Sequence, residues 1–326
     1  MAQIRYVTDE ELQELCPIPR AIELVEAGFR ATARGGAHNF PVVRELIGEH
    51  EGIFGVKSGF LPAAGVLGLK AGGYWLQNPR RHGVGAHQST VLLFHPESGQ
   101  LKGVLAANYL TGLRTGAAGA VAARALARPG SRRAGLIGTG VQAEMQLRCL
   151  AAVFSLERAQ IWSADPYSME SFTRRTAGLG VTVEALTDPE PVVRGADILV
   201  TTTPAFKPVV RAEWLQPGVH VNAIGADTKG KQELETGALL KADRVVVDSV
   251  EQAAALGELQ HPVGAGLLDK EQVYTLGEVL EGLAPGRPAP EAITIFDATG
   301  LIMQDLVVAD YVWKRAHETA KGGPCH

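Results

Sequence analysis

The stretch Ala134-Gly135-Leu136-Ile137-Gly138-Thr139-Gly140-Val141-Gln142-Ala143 decides the fold of this 326-residue chain. An apolar run, a glycine-rich turn and the helix-compatible segment 144–154 predict a strand, a tight turn and a helix in succession. Gly138 permits the turn, Gly140 lets the backbone approach a phosphate, and the small Ala143 lets the helix pack on the strand. The helix N-terminus then offers N–H groups and a positive dipole to an anion. The pattern therefore predicts a site for the pyrophosphate of a dinucleotide.

A β/α alternation continues after this turn, and helical segments fit between most of the candidate strands. The candidate strands are 134–137, 159–162, 181–184, 198–202, 219–224, 244–248 and 293–296. Regular spacing of the first five strands is typical of βαβ units with right-handed crossovers. We expect an α/β fold with a Rossmann domain, which contains a doubly wound parallel sheet.

The first 110 residues predict a smaller α+β domain. A helix within 9–34 precedes strand-like pieces at 42–47, 53–57, 67–72, 90–95 and 101–107, which favours a mostly antiparallel sheet. A helix at 110–127 consists almost wholly of small residues, which permit close approach to another backbone or to a ligand. Arg128-Pro129-Gly130-Ser131 breaks the chain before the nucleotide domain, and a last helix is expected near 301–319.

Composition narrows the class of protein. The formal net charge is -4 without a basic tract, which argues against a nucleic-acid partner. Apolar runs fall short of the roughly 18 residues of a membrane span, and the N-terminus lacks the apolar region of a signal peptide. Cys16, Cys149 and Cys325 form neither a metal-binding pattern nor a disulfide framework. We therefore expect a cytoplasmic protein without a metal, in which Cys149 is a small core residue.

Several residues have side chains suited to chemistry. Asp227 follows the predicted strand 219–224, where ligands of α/β sheets bind, and it is a candidate acid/base or the cap of a following helix. Lys70 lies in an apolar, glycine-rich stretch, so it needs a partner or an anionic ligand. With Arg44 and Arg114 it would bind a substrate carboxylate. Each cation taken alone is equally consistent with an ordinary surface charge.

The choice between NAD and NADP depends on the end of the second predicted strand, 159–162. Ser163 occupies the position where an acidic residue would bind the ribose hydroxyls, and Asp165 follows two residues later. Arg174 and Arg175 lie a helix away, so nothing strongly demands a 2′-phosphate. We favour NADH and keep NADPH as possible. Besides the glycine turn with Thr139, Val141 and Gln142, the expected cofactor contacts are Thr115, Thr202, Thr203, Gly225, Thr299 and Gly300.

Four motifs in this chain resemble the ornithine cyclodeaminase/mu-crystallin family, in the order found there. They are Leu110-Thr111-Gly112-Leu113-Arg114-Thr115-Gly116-Ala117-Ala118, Gly138-Thr139-Gly140-Val141-Gln142-Ala143, Asn222-Ala223-Ile224-Gly225-Ala226-Asp227 and Phe296-Asp297-Ala298-Thr299-Gly300. The resemblance implies a Rossmann domain, 116–302, and a substrate-binding and dimerisation domain, 1–115 with 303–326, in a homodimer. It also implies that Arg44, Lys70 and Arg114 hold the α-carboxylate beside the nicotinamide. Asp227 and Lys70 are then the expected catalytic residues, with Asp227 acting on the substrate nitrogen.

One departure from the family indicates a narrower substrate class. Ornithine cyclodeaminases have an acidic residue, upstream of the Lys70 position, for the distal amine of the substrate, and this chain has Lys57-Ser58-Gly59 in that region. The runs Asn39-Phe40-Pro41-Val42-Val43-Arg44-Glu45, Gly72-Gly73-Tyr74-Trp75 and His87-Gln88-Ser89-Thr90 resemble the iminosuccinate reductase branch. Lys57, with His87 or Ser89, would hold a second carboxylate. Lys57 is otherwise a solvated strand-end lysine, and His87 a structural histidine.

The resemblance therefore implies an NAD(P)H-dependent imino acid reductase that transfers a hydride to the C=N carbon of iminosuccinate and yields L-aspartate. Three alternatives remain open. One is an ornithine or lysine cyclodeaminase that uses NAD catalytically. Another is an alanine dehydrogenase or ketimine reductase, and the third is a non-enzymatic NAD(P)-binding protein.

Overall fold

The computed structural model describes residues 4–321, and these fall into two compact units. The first unit comprises the described residues up to Arg114 together with those from Leu301 onward. The second unit comprises Thr115–Gly300. Cys325 lies outside the described residues.

The elements that precede the second unit, together with the helix that leads into it, follow in chain order. They are β1 (Tyr6–Val7), α1 (Asp9–Leu15), α2 (Ile18–Ala33), β2 (His38–Asn39), β3 (Val43–Ile47), β4 (Gly52–Leu61), β5 (Val66–Trp75), α3 (Asn78–Arg81), β6 (His87–Phe94), β7 (Leu101–Ala106) and α4 (Asn108–Leu126).

The remaining elements form the second unit, except the last helix, which belongs to the first. They are β8 (Arg133–Ile137), α5 (Val141–Ala151), β9 (Arg158–Trp162), α6 (Pro166–Arg175), β10 (Thr182–Ala185), α7 (Pro189–Gly195), β11 (Ile198–Thr201), β12 (His220–Ala223), α8 (Thr236–Lys241), β13 (Arg244–Val247), α9 (Val250–Leu256), α10 (Gln260–Gly264), β14 (Tyr274–Thr275), α11 (Leu276–Leu280), β15 (Thr294–Asp297) and α12 (Ile302–Lys321).

The sheet of the first unit has the order β1-β7-β6-β5-β4-β2, and β3 also pairs with β4. Only the β1–β7 pair among these strands is parallel, so the predicted mostly antiparallel sheet is confirmed. Helix α12 packs on one face of this sheet. A Cβ atom at Gly68 would lie 2.6 Å from a methyl group of Leu306, so the glycine lets the helix approach the strand closely.

The second unit contains a sheet of eight described strands in the order β10-β9-β8-β11-β12-β15-β13-β14, and every pair is parallel. The order reverses between β8 and β11, as in a doubly wound Rossmann sheet, and the predicted fold class is confirmed. The two-residue strand β14 escaped sequence-based prediction because it is too short to show a periodic pattern.

Two expectations about helices are settled by local geometry. The single helix expected within 9–34 is wrong, because Pro17 separates α1 from α2 and the residue before a proline is disfavoured in a helix. The small residues of α4 do allow close packing, as predicted. A Cβ atom at Gly116 would lie 2.6 Å from the carbonyl oxygen of Met145 on α5.

Candidate active site

The glycine turn joins β8 to α5 at the carboxyl edge of the parallel sheet. Gly138 has φ = 105°, in the positive region that favours glycine. A Cβ atom at this position would also lie 2.7 Å from Oγ1 of Thr202, the residue that follows β11. The turn and Thr202 therefore lie where the strand order reverses, which is where open α/β sheets bind ligands.

Gly140 occupies the N-cap position of α5 with an extended backbone, φ −78° and ψ −171°. A Cβ atom there would meet no described atom within 4 Å, so neither protein packing nor conformation calls for glycine. The open space lies beside the first N–H groups of α5, which a helix leaves without internal partners. Ala143 is fully buried on the other side of the helix. This arrangement fits a dinucleotide phosphate at the helix N-terminus.

The residues predicted for the ribose end are connected to the glycine turn by side-chain hydrogen bonds. Oγ of Ser163 accepts hydrogen bonds from the N–H of Asp165 at 3.2 Å and from the hydroxyl of Ser168 at 3.1 Å. Oγ of Ser168 lies 2.7 Å from Oγ1 of Thr139 in the turn. The Asp165 carboxylate caps α6 by accepting the N–H of Tyr167 at 3.0 Å. Oγ of Ser168 also lies 2.7 Å from the carbonyl oxygen of Asp165, so both Ser163 and Asp165 are connected to the turn through Ser168.

Arg175 lies beside the glycine turn, which corrects the expectation that it is a helix away. Its Nη2 donates to the carbonyl of Thr139 at 3.0 Å, and its Nε donates to Glu144 at 2.7 Å. The length of α6 brings the C-terminal turn of that helix back towards the start of α5. Sequence spacing alone does not show this return. An arginine in this place suits a phosphate group, and NADPH therefore stays beside NADH as a possible cofactor.

Glu233 organises the loops that follow β11 and β12. One carboxylate oxygen accepts the N–H of Gly225 at 2.8 Å and the hydroxyl of Thr201 at 2.8 Å, and the other accepts the N–H of Thr203. The N–H of Glu233 donates in turn to Glu258 at 2.7 Å. The predicted cofactor residues Thr203 and Gly225 are thus held by one buried carboxylate that the sequence reasoning missed.

Asp227 lies on the loop between β12 and α8, not at the start of a helix, so the helix-cap alternative is wrong. Its carboxylate forms an ion pair with Lys231, with 2.8 Å between Oδ1 and Nζ. The hydroxyl of Thr228 donates to the same oxygen at 3.1 Å. The side chain of Asp227 is 36% exposed, which leaves it accessible to a ligand.

Thr299 and Gly300 follow β15 and are anchored by Asp248, which follows β13. The hydroxyl of Thr299 donates to Asp248 at 2.9 Å, and the N–H of Gly300 donates to it at 2.5 Å. Thr115, the first residue of this unit, accepts a hydrogen bond from the side-chain amide of Gln146 on α5 at 2.8 Å. Thr299 and Gly300 are therefore held by the loop that follows β13, and Thr115 is held by helix α5, which follows the glycine turn.

Three of the buried carboxyl groups behind these loops, Glu233, Glu258 and Asp297, have raised pKa values. Burial raises the pKa of Asp297 to about 8 and, together with the charges of Glu233 and Asp297, raises the pKa of Glu258 to about 9. Burial also raises the pKa of Glu233. The N–H of Leu259 donates to one oxygen of Asp297 at 2.9 Å, and the other oxygen has no partner among the described residues.

In the first unit, the predicted substrate residues on strands share one sheet face. Lys57 on β4 is directly opposite Lys70 on β5, and directly opposed side chains lie on the same face. By the two-residue period of a strand, the same face carries Arg44, which is opposite Gly55, and Ser89 and His87, which are opposite Gly72 and Tyr74. This is the face on which α12 packs, because Lys70 reaches Asp305 of that helix.

Asp305 provides the carboxylate that forms ion pairs with two of the predicted substrate-binding cations. Its Oδ1 lies 2.7 Å from Nζ of Lys70 and 3.2 Å from Nε of Arg114, and its side chain is fully buried. Burial alone would raise the pKa of Asp305, but Arg114 and Lys70 hold it below its usual value. Burial lowers the pKa of Lys70 to about 8, although Asp305 opposes the shift. Arg114 lies in the second turn of α4.

Two further side chains complete the cation cluster, and the sequence reasoning missed both of them as well as Asp305. Nη1 of Arg114 donates to the side-chain oxygen of Gln304 at 2.6 Å. Nζ of Lys70 donates to the hydroxyl of Thr111 at 3.2 Å. Gln304 and Asp305 follow the motif that ends at Gly300, and Thr111 lies within the motif that contains Arg114. Their closeness in the sequence to these motifs is the signal by which they could have been found.

Three further observations on the described residues concern metal binding, membrane-spanning helices and the reactivity of a cysteine. Residues 4–321 contain no group of three or more His, Cys, Asp or Glu side chains arranged to hold a metal ion. None of the described helices combines the length and the apolar composition that crossing a membrane requires. Cys149 is fully buried, and burial raises the pKa of its thiol, so it stays protonated.

This chain is similar to known proteins that align with it along nearly its whole length. An iminosuccinate reductase of Paracoccus denitrificans is 42% identical over 306 residues, which cover 94% of each chain. The solved structure of the iminosuccinate reductase from that organism, in complex with NAD+, has a TM-score of 0.90 at 41% identity, with 97% of both chains covered.

Two other solved structures are similarly close. An archaeal alanine dehydrogenase dimer with bound NAD has a TM-score of 0.91 at 39% identity and covers 97% of both chains. A lysine cyclodeaminase, solved to explain its recognition of L-lysine, L-ornithine and L-2,4-diaminobutyric acid, has a TM-score of 0.90 at 32% identity. It covers 98% of this chain and 94% of its own.

The predicted enzyme class, an oxidoreductase, is confirmed, and NAD is confirmed as a cofactor, with NADP still open. The model of the ornithine cyclodeaminase/mu-crystallin family matches residues 5–320. The chain therefore belongs to the ornithine cyclodeaminase/mu-crystallin family, as its four motifs predict.

Proposed function

We propose that this protein is an NAD(P)H-dependent imino acid reductase that acts on CH–NH2/C=N groups and converts iminosuccinate to L-aspartate. One observation supports a substrate with two carboxylates: Lys57 is directly opposite Lys70 on the face that carries Arg44. Like charges that oppose each other across strands are destabilising, and a bound dianion relieves their repulsion. The family relationship supports the imino acid class.

The proposal assigns carboxylate binding to the first unit. Arg114 and Lys70 are held by Asp305 and, with Arg44, would fix the α-carboxylate, while Lys57 would take the second carboxylate. Asp305 forms ion pairs with Lys70 and Arg114, and Arg44 and Lys57 add two further positive charges to the same sheet face. An anionic ligand with two carboxylates is therefore stabilised more than one with a single carboxylate, and a substrate with a distal ammonium is repelled. Ser89 and His87 on the same face would add hydrogen bonds.

The second unit would bind the cofactor, with the phosphates at the open side of Gly140 and the ribose near Ser163. When bound, NADH supplies the hydride that adds to the C=N carbon. The electrons of the C=N bond move to nitrogen, so the protonated imine becomes a neutral amine. Asp227 would hold the nitrogen by accepting one of its N–H groups.

We also propose a homodimer in the cytoplasm. Val43 on β3 and Phe54 on β4 lie on the sheet face opposite to α12, and they are 52% and 39% exposed. Exposed apolar patches on a sheet are typical of protein interfaces. Sedimentation equilibrium tests the dimer, and Val43→Asp with Phe54→Asp should give a monomer. The buried free thiols of Cys16 and Cys149 are consistent with a reducing compartment.

The function is tested by adding oxaloacetate, ammonium and NADH and by following the loss of NADH absorbance together with the formation of aspartate. Parallel reactions contain pyruvate, or NADPH instead of NADH. We expect the highest kcat/KM with oxaloacetate. Release of ammonia from ornithine without net NADH formation would instead indicate a cyclodeaminase. Tight NAD(P) binding without turnover of any imino acid would indicate a non-enzymatic role.

The role of Lys57 is tested by Lys57→Met, with the charge-conserving variant Lys57→Arg as its matched control. Loss of a charge-assisted hydrogen bond costs about 1.5–3 kcal/mol, which is roughly 10- to 100-fold in kcat/KM. We expect Lys57→Met to lose this much with oxaloacetate and to change little with pyruvate. Equal losses with both substrates would remove Lys57 from substrate selection.

A further inference from the structure

Lys231 is the cation that faces Asp227 on the loop after β12. Its Nζ lies 2.8 Å from Oδ1 of Asp227 and donates to the carbonyl of Gly225 at 3.3 Å. The lysine side chain is 17% exposed, which makes it the less accessible member of the pair. The ammonium thus links the carboxylate to the end of β12, and a contact to two fixed acceptors restricts the direction in which the carboxylate points.

The backbone that carries Lys231 is itself anchored to helix α10. Nε2 of His261 lies 2.8 Å from the carbonyl oxygen of Lys231. The side-chain oxygen of Gln260 accepts the N–H of Gly230 at 2.7 Å. Because two residues of α10 hold this loop, the ammonium is presented from a fixed main chain. Its pairing with Asp227 is therefore a feature of the folded protein rather than a chance surface contact.

Three other titratable groups of the described residues lie near this loop, in distinct positions. Lys229, two residues from Asp227, is exposed. His261 of α10 contacts the main chain of Lys231, and buried Glu233 contacts the other side of Gly225 through its N–H. Lys231 is the charged side chain that forms the 2.8 Å ion pair with Asp227, so its removal directly changes the field at that carboxylate.

We infer that Lys231 is a positioning residue that keeps Asp227 ionised and aimed. Asp227 then accepts an N–H of an already protonated imine and does not itself supply the proton. In this step the hydride adds to carbon and the C=N electron pair moves to nitrogen. The neutral amine takes up a proton from water afterwards. The role for the imine rests on the proposed function, whereas the effect of Lys231 on Asp227 does not.

The inference is tested first on the cofactor-free protein. Carboxyl carbons of aspartate are labelled with 13C, and Asp227→Asn identifies the Asp227 signal. Lys231→Met is compared with Lys231→Arg and with the matched control Lys229→Met. An opposite charge within about 4 Å favours the ionised carboxylate by one pH unit or more. We expect the titration midpoint to rise by about one pH unit in Lys231→Met only.

The same variants separate positioning from binding in turnover assays. In Lys231→Met the acidic limb of the kcat profile should move to higher pH, while KM for the oxo acid stays within about twofold, because carboxylate binding belongs to other residues. Lys231→Arg should restore the profile. Lys231→Gln replaces Lys231→Met if the latter does not fold.

Equal midpoints of Asp227 in Lys231→Met and Lys229→Met would overturn the inference. A shifted midpoint in a protein that turns over no imino acid would leave the Lys231–Asp227 pairing intact and would refute the proposed function. Turnover of iminosuccinate together with an unshifted midpoint of Asp227 in Lys231→Met would support the proposed function and would refute the role of Lys231.

Discussion

The Nζ atom of Lys70 lies 2.7 Å from Oδ1 of Asp305, although 235 positions separate the two residues in the chain. Burial lowers the pKa of Lys70 to about 8, and Asp305 opposes that shift. The ammonium form is therefore complete well below pH 8 and is lost as the pH rises through this value. Carboxylate binding by Lys70 should follow the same dependence.

The first prediction concerns the alkaline limb of activity. At constant free ammonia, kcat/KM for oxaloacetate should fall above pH 8 by up to about tenfold per pH unit, because neutral Lys70 no longer attracts the carboxylate. Lys70→Arg should lack this limb, since a guanidinium stays charged throughout the range. A limb that persists unchanged in Lys70→Arg would show that another group titrates.

The second prediction concerns Asp305. Asp305→Asn removes the anion that stabilises the Lys70 ammonium, so the alkaline limb should move to lower pH by about one unit. Asp305→Glu should retain more of the wild-type profile. The double variant Asp305→Asn with Lys70→Arg serves as the control and should show no limb. Coincident profiles for wild type and Asp305→Asn would contradict the role of Asp305.

The third prediction compares the effects of an alanine substitution at each of the two glycines of the turn. Gly140→Ala adds a methyl group where no described atom lies within 4 Å, so thermal stability should be nearly unchanged. NADH affinity should fall about tenfold or more, because the methyl group occupies the space assigned to the phosphate. Calorimetry and NADH fluorescence titration measure the two effects.

Gly138→Ala is the comparison for this pair. It imposes φ = 105° on a residue with a Cβ atom that would lie 2.7 Å from Thr202 Oγ1. The protein should therefore be destabilised by at least about 1 kcal/mol. Equal stability losses in the two variants would refute the assignment of open space at Gly140.

The fourth prediction concerns pH and stability. The pKa of Asp297 is raised by burial to about 8, so the folded protein keeps a proton that the unfolded chain releases. The stabilisation is complete below the unfolded pKa and is lost as the pH rises through about 8, with a slope of at most about 1.4 kcal/mol per pH unit for one proton.

Asp297→Asn removes this titration and should lower stability less at pH 9 than at pH 5. Calorimetric melting temperatures at these two pH values measure the difference. Glu258, whose pKa is raised to about 9, continues to titrate in the variant and contributes its own decrease. A difference between variant and wild type that is the same at both pH values would contradict the prediction.

Local sequence patterns were sufficient to predict the strands and helices of much of the second unit. The strand, turn and helix around Gly138 form from neighbouring residues, and the same holds for each βαβ step, so periodicity predicted them. The two-residue β14 was missed because so short a strand has no period. Arg175 was misplaced because only the packed position of α6 brings its guanidinium to the carbonyl of Thr139.

The sequence by itself determined the class of fold, the glycine turn between β8 and α5 and the residue types of the candidate site, because each depends on neighbours in the chain. Only the tertiary structure decided that Lys57 opposes Lys70, since strand register is a property of pairing. It also decided that Asp305 neutralises part of that charge and that Lys231 faces Asp227. The physical reason is that an ion pair depends on distances in space, and those distances exist only once the sheets and helices have packed.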